Sequence, residues 1–313
     1  MTNPRRSTIY ALLAVLFWST MSSAFKISLG FMAVDQLLFW SVVFALISIG
    51  MVLLAQQKAK LIMDMSRNEL LRSALMGLIN PFLYYLILFE AYNILKAQEA
   101  GVLNYSWPVV LVILSVIILK QKIGWISILA ILISFTGLLV ISTRGNLSRL
   151  DFTEPVGVAL AVGSAFLWAL YWIINMKDKR ESVSKIFVNM LFGFVYILLY
   201  MMLFSHIEFP SWQGLAGSAY IGAFEMGITF VFWLLALKNA RNTAKVSNLI
   251  FLSPFMALFF IRIFVGEQIL FTTYIGLMLI VSGILLQQVS IWHIQLVYGR
   301  LVLWKRKVGG GRN

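Results

Sequence analysis

The chain reads as an all-α polytopic membrane protein, with ten transmembrane helices in two inverted five-helix repeats. Three observations predict this. First, 61% of the 313 residues are hydrophobic and only 12% are charged, against about 25% charged in soluble domains. A soluble fold of this size could not hide that much apolar surface. Second, the chain repeats itself. Pro108 lies 29 residues before Gly137, and Pro254 lies 29 residues before Gly283. A short polar break divides each pair: Lys120-Gln121-Lys122 in one, Gly266-Glu267-Gln268 in the other. Third, the cations are sorted. If both termini are cytoplasmic, 20 of the 25 lysines and arginines fall on the inner side, all but Lys26, Lys96, Arg144, Arg149 and Arg262.

Each helix follows from an apolar run of roughly 20 residues, the length that spans a bilayer core. The runs predict helices at about 8–28, 34–55, 70–93, 99–119, 124–142, 156–176, 186–204, 213–237, 244–264 and 271–292. Met1 to Thr8 is short and basic, and no small-residue cleavage site follows it. The first run is therefore expected to stay as a membrane helix. The units are 1–145 and 146–292, with a basic cytoplasmic tail over 293–313. Five is odd, so two such units in series must enter the membrane in opposite senses. Loop charge agrees: Lys120-Gln121-Lys122 is basic, and its counterpart Gly266-Glu267-Gln268 is not. The first helices repeat as well, Phe17-Trp18-Ser19-Thr20 with Lys26 against Leu167-Trp168-Ala169-Leu170 with Lys177.

The net charge of +13 raises the question of nucleic acid. Its confinement to cytoplasmic loops points instead to orientation and anionic lipid. The chain has no cysteine, which removes disulfides and thiolate metal sites. No catalytic constellation, metal site or cofactor motif is visible, so no enzyme activity is expected.

The prolines come first among candidate functional residues. Pro108 and Pro254, with Pro81 in the third run, are expected inside helices. There each would remove a hydrogen bond and kink the helix toward protein or a cavity. Glu225 falls near the middle of the eighth helix. A charge at that depth costs roughly 2.5–3.5 kcal/mol on insertion scales, so such residues face the interior. It could take part in proton coupling, pair with a substrate amine, or be a protonated glutamic acid or one hydrogen-bonded to a neighbouring helix. Lys26, Glu90, Lys96, Glu99 and Arg262 lie near helix ends, where snorkelling and mutual pairing account for them. Trp125, Trp212 and Trp292 suit the interfacial belts. Trp18, Tyr84, Trp107, Trp168, Tyr171 and Trp233 sit deeper, and Asn104, Asn175, Thr229 and Asn248 add polar groups at depth. Such an aromatic wall with a few amides suits an apolar zwitterion, or it is ordinary packing. Gly157, Gly163, Gly217 and Gly222 are expected as close-packing residues.

The layout, with Gly266-Glu267 between the last two helices, resembles the EamA-type drug/metabolite transporters. Trp18-Ser19-Thr20-Met21 and Glu99-Ala100-Gly101-Val102-Leu103-Asn104-Tyr105-Ser106-Trp107-Pro108 resemble the aromatic-amino-acid exporter branch. Arg241-Asn242-Thr243-Ala244 and Gly266-Glu267 follow the wider superfamily, and Glu225 does not come from the branch. The resemblance implies a basket-shaped monomer whose central cavity is lined by helices 1, 3, 4, 6, 8 and 9. By that analogy Trp18, Asn104, Trp107, Trp168 and Tyr171 would line it. The expected function is secondary transport across the bacterial inner membrane by alternating access, exporting amino acids or related metabolites, with protons as a candidate coupling partner. The other readings are a drug, vitamin or nucleotide-sugar-type carrier, or a lipid-handling protein.

Overall fold

The structure is a computed structural model that describes residues 3–120, 124–146, 154–240, 246 and 248–286. The expected tail at 293–313, Trp292, and the polar residues 121–123 lie outside the described residues. Among those described there is helix and no strand.

Eight helices are long and apolar enough to cross a membrane: α1 (Pro4–Ser28), α2 (Val34–Ala55), α3 (Arg67–Ile94), α4 (Ala97–Ile118), α5 (Trp125–Ser142), α6 (Pro155–Asn175), α7 (Ser182–Phe204) and α8 (Trp212–Leu237). Two shorter apolar helices follow, α9 (Leu249–Val265) and α10 (Phe271–Leu286). The starts are chemically marked. Asn3 caps α1 by accepting the Arg6 N–H, with Pro4 in the first turn. Ser66 and Glu69 form a reciprocal capping box on α3. Ser211 accepts the Gly214 N–H at the start of α8. The ends of α4 and α9 are equally marked. Each stops in a left-handed residue, Lys120 (φ 52°) and Gly266 (φ 77°).

The prolines are not where the apolar runs place them. α4 breaks at Tyr105-Ser106, and a new helical stretch begins at Trp107. Pro108 is its second residue, where the missing N–H leaves no gap. Pro254 is likewise the second residue of Ser253–Phe260, which follows a 3₁₀ stretch at Asn248–Leu252. Each proline opens the second stretch of its helix, just after the break. Pro81 does lie within a helical stretch, in a widened turn at Leu78–Leu83, where Asn80 leaves helical geometry (φ −147°, ψ 119°). α8 carries a similar widened turn at Ile221–Ile228.

Small residues set the closest approaches, and these contacts come in matching pairs. A methyl added at Gly137 would sit 2.6 Å from the Gly276 carbonyl and 3.1 Å from the Ile280 nitrogen. One added at Gly283 would sit 2.5 Å from the Ala130 carbonyl and 3.1 Å from the Ser134 nitrogen. Glycine 137 answers to 283, 130 to 276 and 134 to 280, each pair 146 apart. Contacts in which i meets j and the equivalent of j meets the equivalent of i are those of a local two-fold relation. Residue number rises along α5 as it falls along α10, so the two helices cross antiparallel. Glycines also bring α3 close to α7 and α8 close to α2. Gly77 faces Asn189 and Gly193, and Gly222 faces Ser41 and Ala45. Of the other expected packing glycines, Gly157 meets Leu95 and Gly217 meets Ser28, but Gly163 faces open space.

Outside this core the helices present large apolar side chains such as Met51, Leu54, Leu203, Phe204 and Phe259. Trp125 and Trp212 are among the most exposed, at helix starts.

Candidate functional site

A cavity of about 450 Å³ lies between α1, α3, α4, α6, α8, α9 and α10. That is within the range of small-molecule sites, roughly 300–1,000 Å³. Trp18, Tyr84, Asn104, Trp107, Trp168, Glu225 and Trp233 line it, as do Pro108 and Pro254. The structure therefore brings together seven of the eleven expected cavity residues. Three others do not line the cavity. Tyr171 is buried under Trp168, ring on ring at 5.8 Å. It lies beside Asn80 of α3 and Asn189 of α7. Thr229 is fully buried, one turn beyond Glu225. Asn175 lies at the end of α6, where its carbonyl is approached by the Lys185 ammonium at 3.5 Å. The side chain of Asn248 lies outside what the structure describes. Pro81 is also off the cavity, packed against Gly193 of α7.

Several rings of the wall touch one another. Trp168 stacks on Tyr84 at 4.8 Å and meets Trp172 edge-on at 5.9 Å. Trp18 lies 5.6 Å from Trp233. Offset and edge contacts of this kind hold rings in fixed orientations. The breaks in α4 and α9 face each other across this space. At the α4 break the Tyr105 hydroxyl donates to the Ile250 carbonyl of the α9 3₁₀ stretch at 2.7 Å. Asn104 donates to Ser164 at 2.9 Å and accepts a long bond from Tyr84 at 3.5 Å.

Glu225 is the carboxylate of the cavity. It stands on the widened turn of α8 and is only 9% exposed. Tyr85 donates to its Oε1 at 3.2 Å. Its Oε2 is buried with no hydrogen-bond partner among the described residues.

Gln98 and Tyr92 line one end of the cavity, and a dense polar network surrounds them. Glu267 accepts the Ala97 N–H at 2.7 Å and the Gln98 N–H at 3.3 Å. An anion there suits the positive start of α4. Gln98 donates to the Gln268 carbonyl at 2.9 Å and accepts from the Leu270 N–H and the Thr273 hydroxyl. The left-handed Gly266 turns the chain so that Glu267 can reach across. Lys26 donates to the Tyr92 and Leu95 carbonyls at 2.7 and 2.8 Å, closing the end of α3. Glu99 is buried in a two-bond pair with Arg144 at 2.5 and 3.2 Å. Lys26 and Glu99 do not pair with each other, because backbone carbonyls and Arg144 are nearer. Arg262 is exposed, as expected for a helix end. Glu267→Ala is expected to cost about 1 kcal/mol, the usual loss for an N-terminal cap. Thermal unfolding of the purified chain in detergent measures it.

Tyr92, Gln98, Ser22 and Ser253 are cavity residues that the sequence reading missed. Only Ser253 carried a local signal, as the residue just before Pro254.

The sequence model of the EamA-like transporter family matches the chain twice, over residues 5–143 and 155–287. The chain belongs to the EamA-like transporter family. It is 24% identical over 289 residues to an uncharacterized transporter of Clostridium kluyveri, covering 89% of this chain and 92% of that one. This EamA-family chain is also 22% identical over 289 residues to the aromatic amino acid exporter YddG of Escherichia coli strain K12, covering 90% and 96%. A solved crystal structure aligns with a TM-score of 0.64, at 19% identity, over 92% of this chain and 98% of the other. That likeness concerns the fold. With its membrane-length helices, this EamA-family chain is a multi-pass membrane transporter.

Proposed function

We propose that the chain is an inner-membrane secondary transporter that exports amino acids or related small metabolites by alternating access. In this reading ten helices span the membrane as two inverted five-helix repeats, 1–145 and 146–292, with both termini cytoplasmic, and the protein works as a monomer. The observation that carries it is the reciprocal α5–α10 contact together with a cavity built from both halves. A two-fold relation between antiparallel equivalents has its axis across the helices, hence in the membrane plane. Exchange of conformation between two such halves opens one central site to each side in turn. The relative named as an aromatic amino acid exporter supports the substrate class, and the ring-lined wall suits it. Rings share that wall with aliphatic side chains such as Leu88, Val112 and Ile284, so it is not the wholly aliphatic wall a lipid carrier would need.

The breaks before Trp107 and Ser253 are the proposed hinges. The test is counterflow of labelled phenylalanine in proteoliposomes, with the wild type against a Pro108→Ala, Pro254→Ala double variant. Both prolines begin helices, so alanine should leave the fold intact. Counterflow by the wild type supports transport, and a changed rate in the variant supports the hinges. An unchanged rate would sink the hinges while leaving transport standing.

A further inference from the structure

Among the described residues the cavity has one acidic side chain and no basic one. Glu225 lines it, and no lysine, arginine or histidine is among the described residues that do. Nearby Lys26 is already engaged on the carbonyls at the end of α3. Only one oxygen of the carboxylate is occupied, by Tyr85. The other is buried, unpartnered, and belongs to a side chain that faces the cavity. A buried polar atom left without a partner is costly, of the order of 1–3 kcal/mol and more when charged. A cationic group entering the cavity would complete it.

The walls say what that partner is. Trp18, Tyr84, Trp107, Trp168, Trp172 and Trp233 surround the same space. Ring faces attract cations, tryptophan most strongly, and they also cover an apolar body. A carboxylate at one point and indole faces around it are the two elements of an ammonium site. The charge is also one-sided. The equivalent widened turn of α3 carries Asn80, a neutral amide that does not line the cavity.

We infer that the cavity takes an organic ammonium ion, with Glu225 as its counter-ion and the tryptophan walls holding an aromatic or apolar body. This rests on the cavity being the substrate site. It specifies the handle by which the substrate is held, the ammonium group that amino acids and simple amines share.

The test uses the full chain purified in detergent and titrated by calorimetry at neutral pH. The probes are 2-phenylethylammonium and 2-phenylethanol, which share ring and chain and differ in charge. The wild type is expected to bind the ammonium at least tenfold more tightly than the alcohol. Glu225→Gln is expected to abolish that preference while leaving alcohol binding within about twofold. The retained alcohol binding shows that the variant is folded. If Glu225→Gln binds neither probe, Glu225→Asp decides: a retained ammonium preference supports the inference, and a lost one overturns it. Trp168→Ala separates the two levels. If it weakens both probes while Glu225→Gln changes neither, the cavity stands and the ammonium inference falls. If it changes neither probe, the cavity is not the site and both readings fall.

Discussion

Gly222→Ala is expected to lower the stability of the folded chain by roughly 1–3 kcal/mol, the usual range for overpacking a filled core. The added methyl would lie 2.2 Å from the Ser41 carbonyl and 2.8 Å from the Ala45 nitrogen. Both are backbone atoms of α2, so no rotamer change can relieve the clash. Gly77→Ala should lose a similar amount. Its methyl would lie 2.5 Å from the Asn189 carbonyl and 2.7 Å from the Gly193 nitrogen of α7. The two sites share no partner, so their losses should add. Gly163→Ala is the internal control. Nothing lies within 4 Å of its added methyl, and alanine favours a helix by up to about 1 kcal/mol over glycine. Thermal midpoints in detergent check all three. Equal midpoints for Gly163→Ala and Gly222→Ala would mean that α2 and α8 do not pack as described.

Most of the helical architecture was legible because lipid demands long apolar runs, and eight of those runs are the eight membrane-length helices. What composition cannot give is register. Pro108 and Pro254 lie deep in apolar runs, which reads as a kink. In fact each run contains a break and a second start. A signal was present, since proline disfavours helical geometry in the residue before it, but it does not say whether the helix bends or ends. Register also hid an equivalence. The repeat is 146 residues between Pro108 and Pro254 but 145 between Gly77 and Gly222. With that one-residue correction Asn80 falls opposite Glu225, each on a widened turn.

The site was readable residue by residue and opaque as a network. Trp18, Trp168 and Glu225 stood out because rings and a carboxylate are conspicuous in apolar helices. Tyr171 was conspicuous for the same reason and Thr229 as a hydroxyl at depth, yet neither lines the cavity, since type and depth do not reveal which face of a helix looks inward. Gln98 and Glu267 were not seen as partners because 169 residues separate them. Only the fold makes Glu267 the cap of a helix in the other half.

Arg180→Ala is expected to cost about 3 kcal/mol, near the lower end for breaking a buried ion pair. Arg180 ties the α6–α7 turn to the start of α3. It donates to Asp178 at 2.6 Å, to the Ser73 hydroxyl at 2.8 Å and to the Glu69 carbonyl at 3.0 Å. The Asp178 side chain is 2% exposed, so removing its partner strands a charge. Arg72, at 4.0 Å and half exposed, compensates only in part. The pH dependence should change sign. Burial alone would raise the Asp178 carboxyl, but the Arg180 hydrogen bonds and charge outweigh it and hold the group below its usual value of 3.8. Its stabilisation is therefore complete above that value and is lost only as pH falls through the lower folded one. Glu181 nearby behaves likewise. Burial opposes its ionisation, but bonds from Lys58 and Ser184 bring it to about 2, so its stabilisation is lost between 4.5 and about 2. In the wild type, acid below about pH 4.5 should therefore only lower the thermal midpoint. In Arg180→Ala the burial of Asp178 is unopposed by its main partner, and its folded value should rise above 3.8. Acidification from pH 7 toward 4 then neutralises a stranded charge, so the gap between variant and wild type should narrow. A gap that stays constant or widens over that interval would show that Asp178 does not depend on Arg180.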